Sequence, residues 1–189
     1  MPGDDEYLPH TPDERRAHAD ALNERAQREP RPAFLFAQAG ECYAEDGHDA
    51  DAERMFRHAL AEPGAPTGTL HGIYADFLFN RGRSDEALTL LHEARRLKPE
   101  APHAHVAIGE TLLEYDHPAE AARWFTAGLV DLLGSLTAIE LDDLLDDVDI
   151  VMLARGRHEA RQALNQPTDH LDEIYATYRA ELDADQPNA

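Results

Sequence analysis

The sequence predicts an all-α chain in which helix-turn-helix units stack as a right-handed helical-repeat superhelix, and three observations predict it. Small and large residues recur at offsets of 35 and then 34: Gly40, Ala75 and Gly109; Ala52, Ala87 and Ala121; Phe56, Leu91 and Phe125; Ala59, Ala94 and Gly128. A second series, Tyr43, Leu78 and Leu112, lies three residues beyond each crossing residue and therefore on the same helical face. Breaks recur in the same register, at Glu45-Asp46-Gly47-His48, at Asn80-Arg81-Gly82-Arg83 and at Asp116-His117-Pro118. Two antiparallel helices approach closely only where a crossing residue is small, and a turn of a few residues needs backbone freedom or a proline that starts the next helix.

Each element follows in order. Residues 1–11 are expected to be mobile. Thr11-Pro12-Asp13-Glu14 is a helix start, with a capping hydroxyl, proline in the first turn and a glutamate that reaches back to the cap. The helix should run from about 12 to 28 within a capping segment 12–30. Its apolar positions Ala17, Ala21, Leu22 and Ala26 are few and small, as suits a cover on the first repeat. Residues 31–133 hold three repeats, and in the turn of the first of them Asp49 reads as a helix cap aligned with Ser84. Beyond them, Leu132 through Met152 keep helical spacing in an acidic background, and Ala154-Arg155-Gly156-Arg157 reads as a turn before a short arm of about 157–165. Residues 134–183 are thus expected to be a degenerate fourth unit and a C-terminal helix. Pro167-Thr168-Asp169 starts that last helix, with Leu171, Ile174, Tyr175, Tyr178 and Leu182 as its stripe, and residues 184–189 form a mobile tail.

On these residues the chain resembles the tetratricopeptide repeat family, whose unit is about 34 residues. The second helices carry the likeness best, in Ala52, Phe56 and Ala59-Leu60; Ala87, Leu91 and Ala94; Ala121, Phe125 and Gly128-Leu129. Pro63 and Pro99 stand near the family's unit-ending proline, Leu133 replaces it in the third unit, and Phe36, His71 and His105 occupy the place of the family's early tryptophan. The resemblance covers roughly residues 32 to 133. It implies a non-catalytic protein-interaction module, an adaptor or scaffold, with its ligand on the concave surface lined by the first helix of each unit.

The register places Phe34, Ala37, Glu41 and Glu45 on that surface in the first unit, Thr69, Gly72, Asp76 and Asn80 in the second, and His103, Val106, Glu110 and Glu114 in the third. Phe34 and Phe79 are candidate aromatic anchors. The family's clamp for acidic chain termini uses lysine, arginine and asparagine, whereas carboxylates dominate here. The expected ligand is therefore a basic segment of another protein, held by charge-assisted hydrogen bonds.

Composition narrows the field. A net charge of -21 argues against nucleic acid and anionic membrane as partners. No long apolar run or signal-peptide pattern is present, which favours the cytoplasm, and arginine with a single lysine, Lys98, in an alanine-rich chain fits a GC-rich bacterial genome. The only cysteine, Cys42, excludes an intramolecular disulfide and a cysteine-cluster zinc site, and reads as a buried small residue beside Tyr43.

Eleven histidines raise the alternative of a helical metal-dependent hydrolase with His and carboxylate ligands. His103 and His105 are two apart and diverge on a helix, and His48-Asp49 falls in a turn. The cluster Asp142, Asp143, Asp146, Asp147 and Asp149 could align the pairs 142/146 and 143/147 on one helix face, but it lacks a glycine-centred calcium loop. No cofactor, metal or catalytic group is expected. A further alternative is a self-associating structural protein, a homodimer through the C-terminal helices around Tyr175 and Tyr178.

Overall fold

Local sequence signals set the helix ends. The computed structural model describes residues 11–98 and 101–185, and among these it holds ten α-helices, one 3-10 turn and no strand. The expected mobile segment up to residue 10, Pro99 and the tail from residue 186 lie outside the described residues. Two compact units divide the chain, 1–93 and 94–189.

In the first unit, helix α1 (Pro12–Ala26) begins with the expected capping box: the Thr11 hydroxyl accepts from the Glu14 amide and the Glu14 carboxylate from the Thr11 amide. It packs on α2 (Ala33–Glu45) through buried Ala19 and Ala26, and the Tyr43 hydroxyl donates to Asp20. Burial, then that bond to Asp20, raise the Tyr43 pKa to about 12. Helix α2 pairs with α3 (Asp49–Ala61), and both touch α4 (Thr69–Asn80). The crossing is as tight as the small-residue series predicts: a Cβ at Gly40 would lie 2.7 Å from Phe56 Cε1. Phe56 stacks on Tyr74 at 5.4 Å and meets Phe77 at 5.3 Å, and all three rings are buried in the core of this unit. Helix α5 (Ser84–Arg96) follows and crosses the boundary, its end from residue 94 belonging to the second unit.

The second unit contains α6 (Pro102–Glu114), α7 (Pro118–Leu133), a 3-10 turn (Leu136–Ala138), α8 (Leu141–Asp146), α9 (Val148–Ala163) and α10 (His170–Asp185). Phe125 of α7 is fully buried and lies flat against two glycines, since a Cβ at Gly109 of α6 would come within 2.4 Å of it and one at Gly156 of α9 within 2.3 Å. Trp124 packs beside it against His105, whose ring lies 5.4 Å away. The three residues at the family's tryptophan place, Phe36, His71 and His105, are all buried.

Three turns share one geometry. Gly47 and Gly82 take left-handed φ of 75° and 70°, and Asp116 does so at 60°. The amide that follows each donates to the carbonyl five residues back: His48 to Tyr43 at 2.9 Å, Arg83 to Leu78 at 2.9 Å, and His117 to Leu112 at 2.7 Å. This closes the last carbonyls of α2, α4 and α6 in the same way. Asn165, at φ 52°, makes a fourth such end for α9, with the Gln166 amide donating to Arg161 at 3.0 Å. The interval to this fourth turn is longer because Gly134, left-handed at φ 74°, stops α7 and the 3-10 turn and α8 intervene.

Three local expectations need correction. Ala154-Arg155-Gly156-Arg157 is no turn: α9 runs unbroken through it, because Gly156 is buried where Phe125 requires a residue without a side chain, and the expected arm 157–165 is the end of α9. Asp49 does not cap α3; the cap residue is His48, without a side-chain bond, and Asp49 accepts from Arg81 at 2.9 Å. The pair Asp143/Asp147 does not share a helix face, because Asp147 is extended and separates α8 from α9. These aspartates act as caps, with the Glu140 amide donating to Asp143 at 2.8 Å and the Asp149 amide to Asp147 at 2.8 Å.

Candidate functional site

Four-residue spacing places Glu41 and Glu45 on one face of α2, and Asp76 and Asn80 on one face of α4. These helices are in contact, so the two faces join. The Asn80 amide donates to Asp76 at 3.2 Å, holding that carboxylate in place. Burial, followed by the charges of Glu45 and Asp76, raises the Glu41 pKa above its ordinary value. Cys42 is half-buried where full burial was expected, and burial, followed by the charges of Glu45 and Glu41, raises its thiol pKa, so it stays protonated at neutral pH and is a poor nucleophile. Three carboxylates thus converge from two helices, and neither Glu41 nor Glu45 has an ion-pair partner among the described residues.

Phe34 stands on the same stripe of α2, two turns before Glu41, and is 48% exposed. It edges a depression of about 540 Å³ walled by Arg31, Glu62, Pro63 and Pro66. Phe79 differs from the expectation. Its ring is 5% exposed and belongs to the core of the first unit, so it offers no anchor to a ligand. Ala37 and Gly72, also placed on the open surface by the register, are buried as well. The reason is common to all three: α2 touches α1, α3 and α4, and α4 touches α2 and α3, so their apolar faces are wider than one stripe.

In the second unit, His103, Glu110 and Glu114 follow one face of α6 and are exposed, while Val106 on that face is buried. Helix α9 packs against α6, and its Arg155 donates to Glu110 at 3.0 Å. Glu110 is therefore already neutralised within the chain. The stripe of α10 is likewise partly spent: Leu171 and Tyr175 are buried against the chain's own helices, with Tyr175 beside His158 at 5.4 Å, and Leu182 is left exposed.

Sequence reasoning missed a second constellation. Arg157 is 6% exposed and Asp172 4%. Arg157 grips both oxygens of Asp169, at 3.2 and 2.6 Å, and its Nε donates to the Thr126 hydroxyl at 3.2 Å. Arg161 donates to Asp172 at 3.0 Å, to Gln166 at 2.8 Å and to the Pro167 carbonyl at 2.6 Å. Asp169 and Asp172 also cap the start of α10 reciprocally, at 3.1 and 3.2 Å. Burial alone would raise the Asp169 pKa, but the Arg157 hydrogen bond, the Asp172 amide and the two arginine charges outweigh it and bring it to about 2. The four-residue step from Arg157 to Arg161 and the three-residue step from Asp169 to Asp172 were visible signals, hidden by the expectation of a turn at Gly156.

Among the described residues no group of three or more His, Cys, Asp and Glu side chains is arranged to hold a metal ion, and no helix is long and apolar enough to cross a membrane. Compared with known proteins, the chain matches no family model, no curated protein and no solved structure.

Proposed function

We propose that this chain is a non-catalytic protein-interaction module, a bacterial cytoplasmic adaptor or scaffold of tetratricopeptide-like units stacked as a right-handed superhelix. Its ligand is a basic segment of another protein, taken by the acidic face of α2 and α4. The recurrence of the left-handed turn at residues 47, 82 and 116, with the glycine crossings at Gly40 and Gly109, supports the repeat reading. The observation that carries the functional reading is the convergence of Glu41, Glu45 and Asp76 from α2 and α4, with no cation paired to Glu41 or Glu45 among the described residues, so that added positive charge would relieve existing repulsion.

Each solvent-exposed ion pair contributes about 0 to 1 kcal/mol, so three at a middle value of about 0.5 kcal/mol give roughly tenfold in affinity, and about 3 kcal/mol is their ceiling. The partner must add apolar contact, for which exposed Phe34 is available. The test is fluorescence anisotropy with a labelled arginine-rich peptide at low and moderate salt. Binding should weaken at least tenfold in a Glu41→Gln/Glu45→Gln/Asp76→Asn triple variant. A second triple variant, Asp142→Asn/Asp146→Asn/Glu173→Gln, makes the same change in net charge elsewhere and should bind as the unmodified chain does. Equal losses in both variants would reduce the effect to overall charge and end the proposal for this face. Affinity capture with the first triple variant as the comparison then identifies the natural partner by mass spectrometry.

A further inference from the structure

The chain holds 38 Asp and Glu against 17 Lys and Arg, so a surface recess without carboxylates is unexpected. One exists in the second unit. A cleft of about 300 Å³ is lined by Arg95, Arg123, Thr126, Arg157, Arg161 and Gln166, with alanines 119 and 122 and Leu164 completing it. Four of the seventeen basic residues meet there, and among the described residues no acid lines it.

Two of these arginines are fixed in advance. The Arg157 side chain is 7% exposed and that of Arg161 16%, and Asp169 and Asp172, which do not line the cleft, hold both guanidinium groups. Arg157 has five N–H groups and spends three of them on Thr126 and Asp169. The Thr126 oxygen accepts from Arg157, which leaves its hydroxyl hydrogen to donate, and Gln166 accepts from Arg161 through its oxygen, which leaves its amide hydrogens. The side-chain oxygens at the cleft are thus each engaged by an arginine, while N–H and O–H donors remain. Arg95 has no acidic partner among the described residues, and Arg123 pairs only with Glu120 of its own helix.

We propose that this cleft binds a phosphoryl oxyanion carried by a small molecule. Guanidinium forks match phosphate oxygens in pairs, and donors arranged on several sides suit a tetrahedral dianion better than a planar carboxylate. The fixed floor lowers the ordering cost of binding, while exposed Arg95 and Arg123 close on the ligand from the rim. The volume admits a phosphoryl head with a short substituent, so the remainder of a larger ligand stays in solvent. The overall negative charge repels any anion at long range, and selectivity therefore rests on these short contacts.

The experiment uses the full chain, with inorganic phosphate, glycerol phosphate and acetate as probes, read by calorimetry and by NMR shifts of the arginine Nε–H and Thr126 signals. Saturable binding of both phosphate probes is expected, at least tenfold tighter than acetate, with shifts centred on Thr126, Arg157 and Arg161. Arg95→Gln/Arg123→Gln should weaken phosphate binding at least tenfold without moving the unfolding midpoint, because both side chains are exposed. Arg54→Gln/Arg57→Gln on α3 makes the same charge change and should leave it unaltered. The proposal fails if phosphate does not saturate, if acetate binds equally well, or if the two double variants lose affinity alike.

Discussion

Replacing Gly156 by alanine tests the packing of the second unit most directly. Gly156 lies inside α9, where glycine costs roughly 1 kcal/mol relative to alanine, so an exposed helical glycine would be stabilised by the change. Here the new Cβ would meet Phe125 Cε1 and Cζ at 2.3 Å, about 1 Å short of the 3.4 Å at which ordinary contact begins. The ring has nowhere to move, because it is fully buried and the same atoms, Cε1 and Cζ, already press against Gly109. Overpacking of this kind costs about 1 to 3 kcal/mol, and at this distance the upper part of the range applies. Offset by the gain in helix propensity, the net loss should be about 2 kcal/mol. Urea unfolding followed by tryptophan fluorescence reads it out, because Trp124 adjoins Phe125. In a Phe125→Leu background the obstacle is gone, and the same glycine change should cost at least about 1 kcal/mol less. A neutral or stabilising Gly156→Ala in the otherwise unmodified chain would refute the reasoning, since it would mean that α9 does not press its glycine onto the ring.

Asp116→Gly should stabilise the second unit by a few tenths to about 1 kcal/mol, because φ 60° strains an L-residue, and Gly82→Ala should destabilise the first unit by a similar amount; thermal unfolding resolves both. The Asp169 carboxyl, depressed from 3.8 to about 2, contributes stability that is complete above about pH 4 and lost as the pH falls toward 2. Its side chain is 37% exposed, so solvent screening reduces the contribution to roughly 1 kcal/mol, and Asp169→Asn should remove this acid limb from the pH profile of urea unfolding. Glu41 has the opposite sign: its raised pKa disfavours the fold as the pH climbs above its ordinary range, so Glu41→Gln should raise the unfolding midpoint at neutral pH and flatten that decline.

The acidic face of α2 and α4 shows how far a site can be read from a sequence. Glu41, Glu45, Asp76 and Asn80 were legible because a four-residue step on a helix fixes a shared face, whatever that helix packs against. Phe79 and Val106 were misjudged because exposure depends on which second and third helices arrive, and no local pattern states that. The arginine cleft went unseen for the same reason. Arg157 contacts Thr126 from 31 positions away, and its partner Asp169 lies across a turn from it.

What the sequence by itself determined is local. The capping box at Thr11 and Glu14, the left-handed ends at Gly47 and Gly82, and the helix starts at Pro12, Pro102 and Pro118 each depend on residues within one or two turns, where backbone hydrogen bonds and steric limits act. What only the tertiary structure decided is the meaning of residues that look alike in one dimension. Gly82 and Gly156 both stand between arginines, yet one bends the chain and the other keeps it straight. The difference is the ring of Phe125, a neighbour distant in sequence, whose close packing leaves no room for a side chain and asks nothing of the backbone angle.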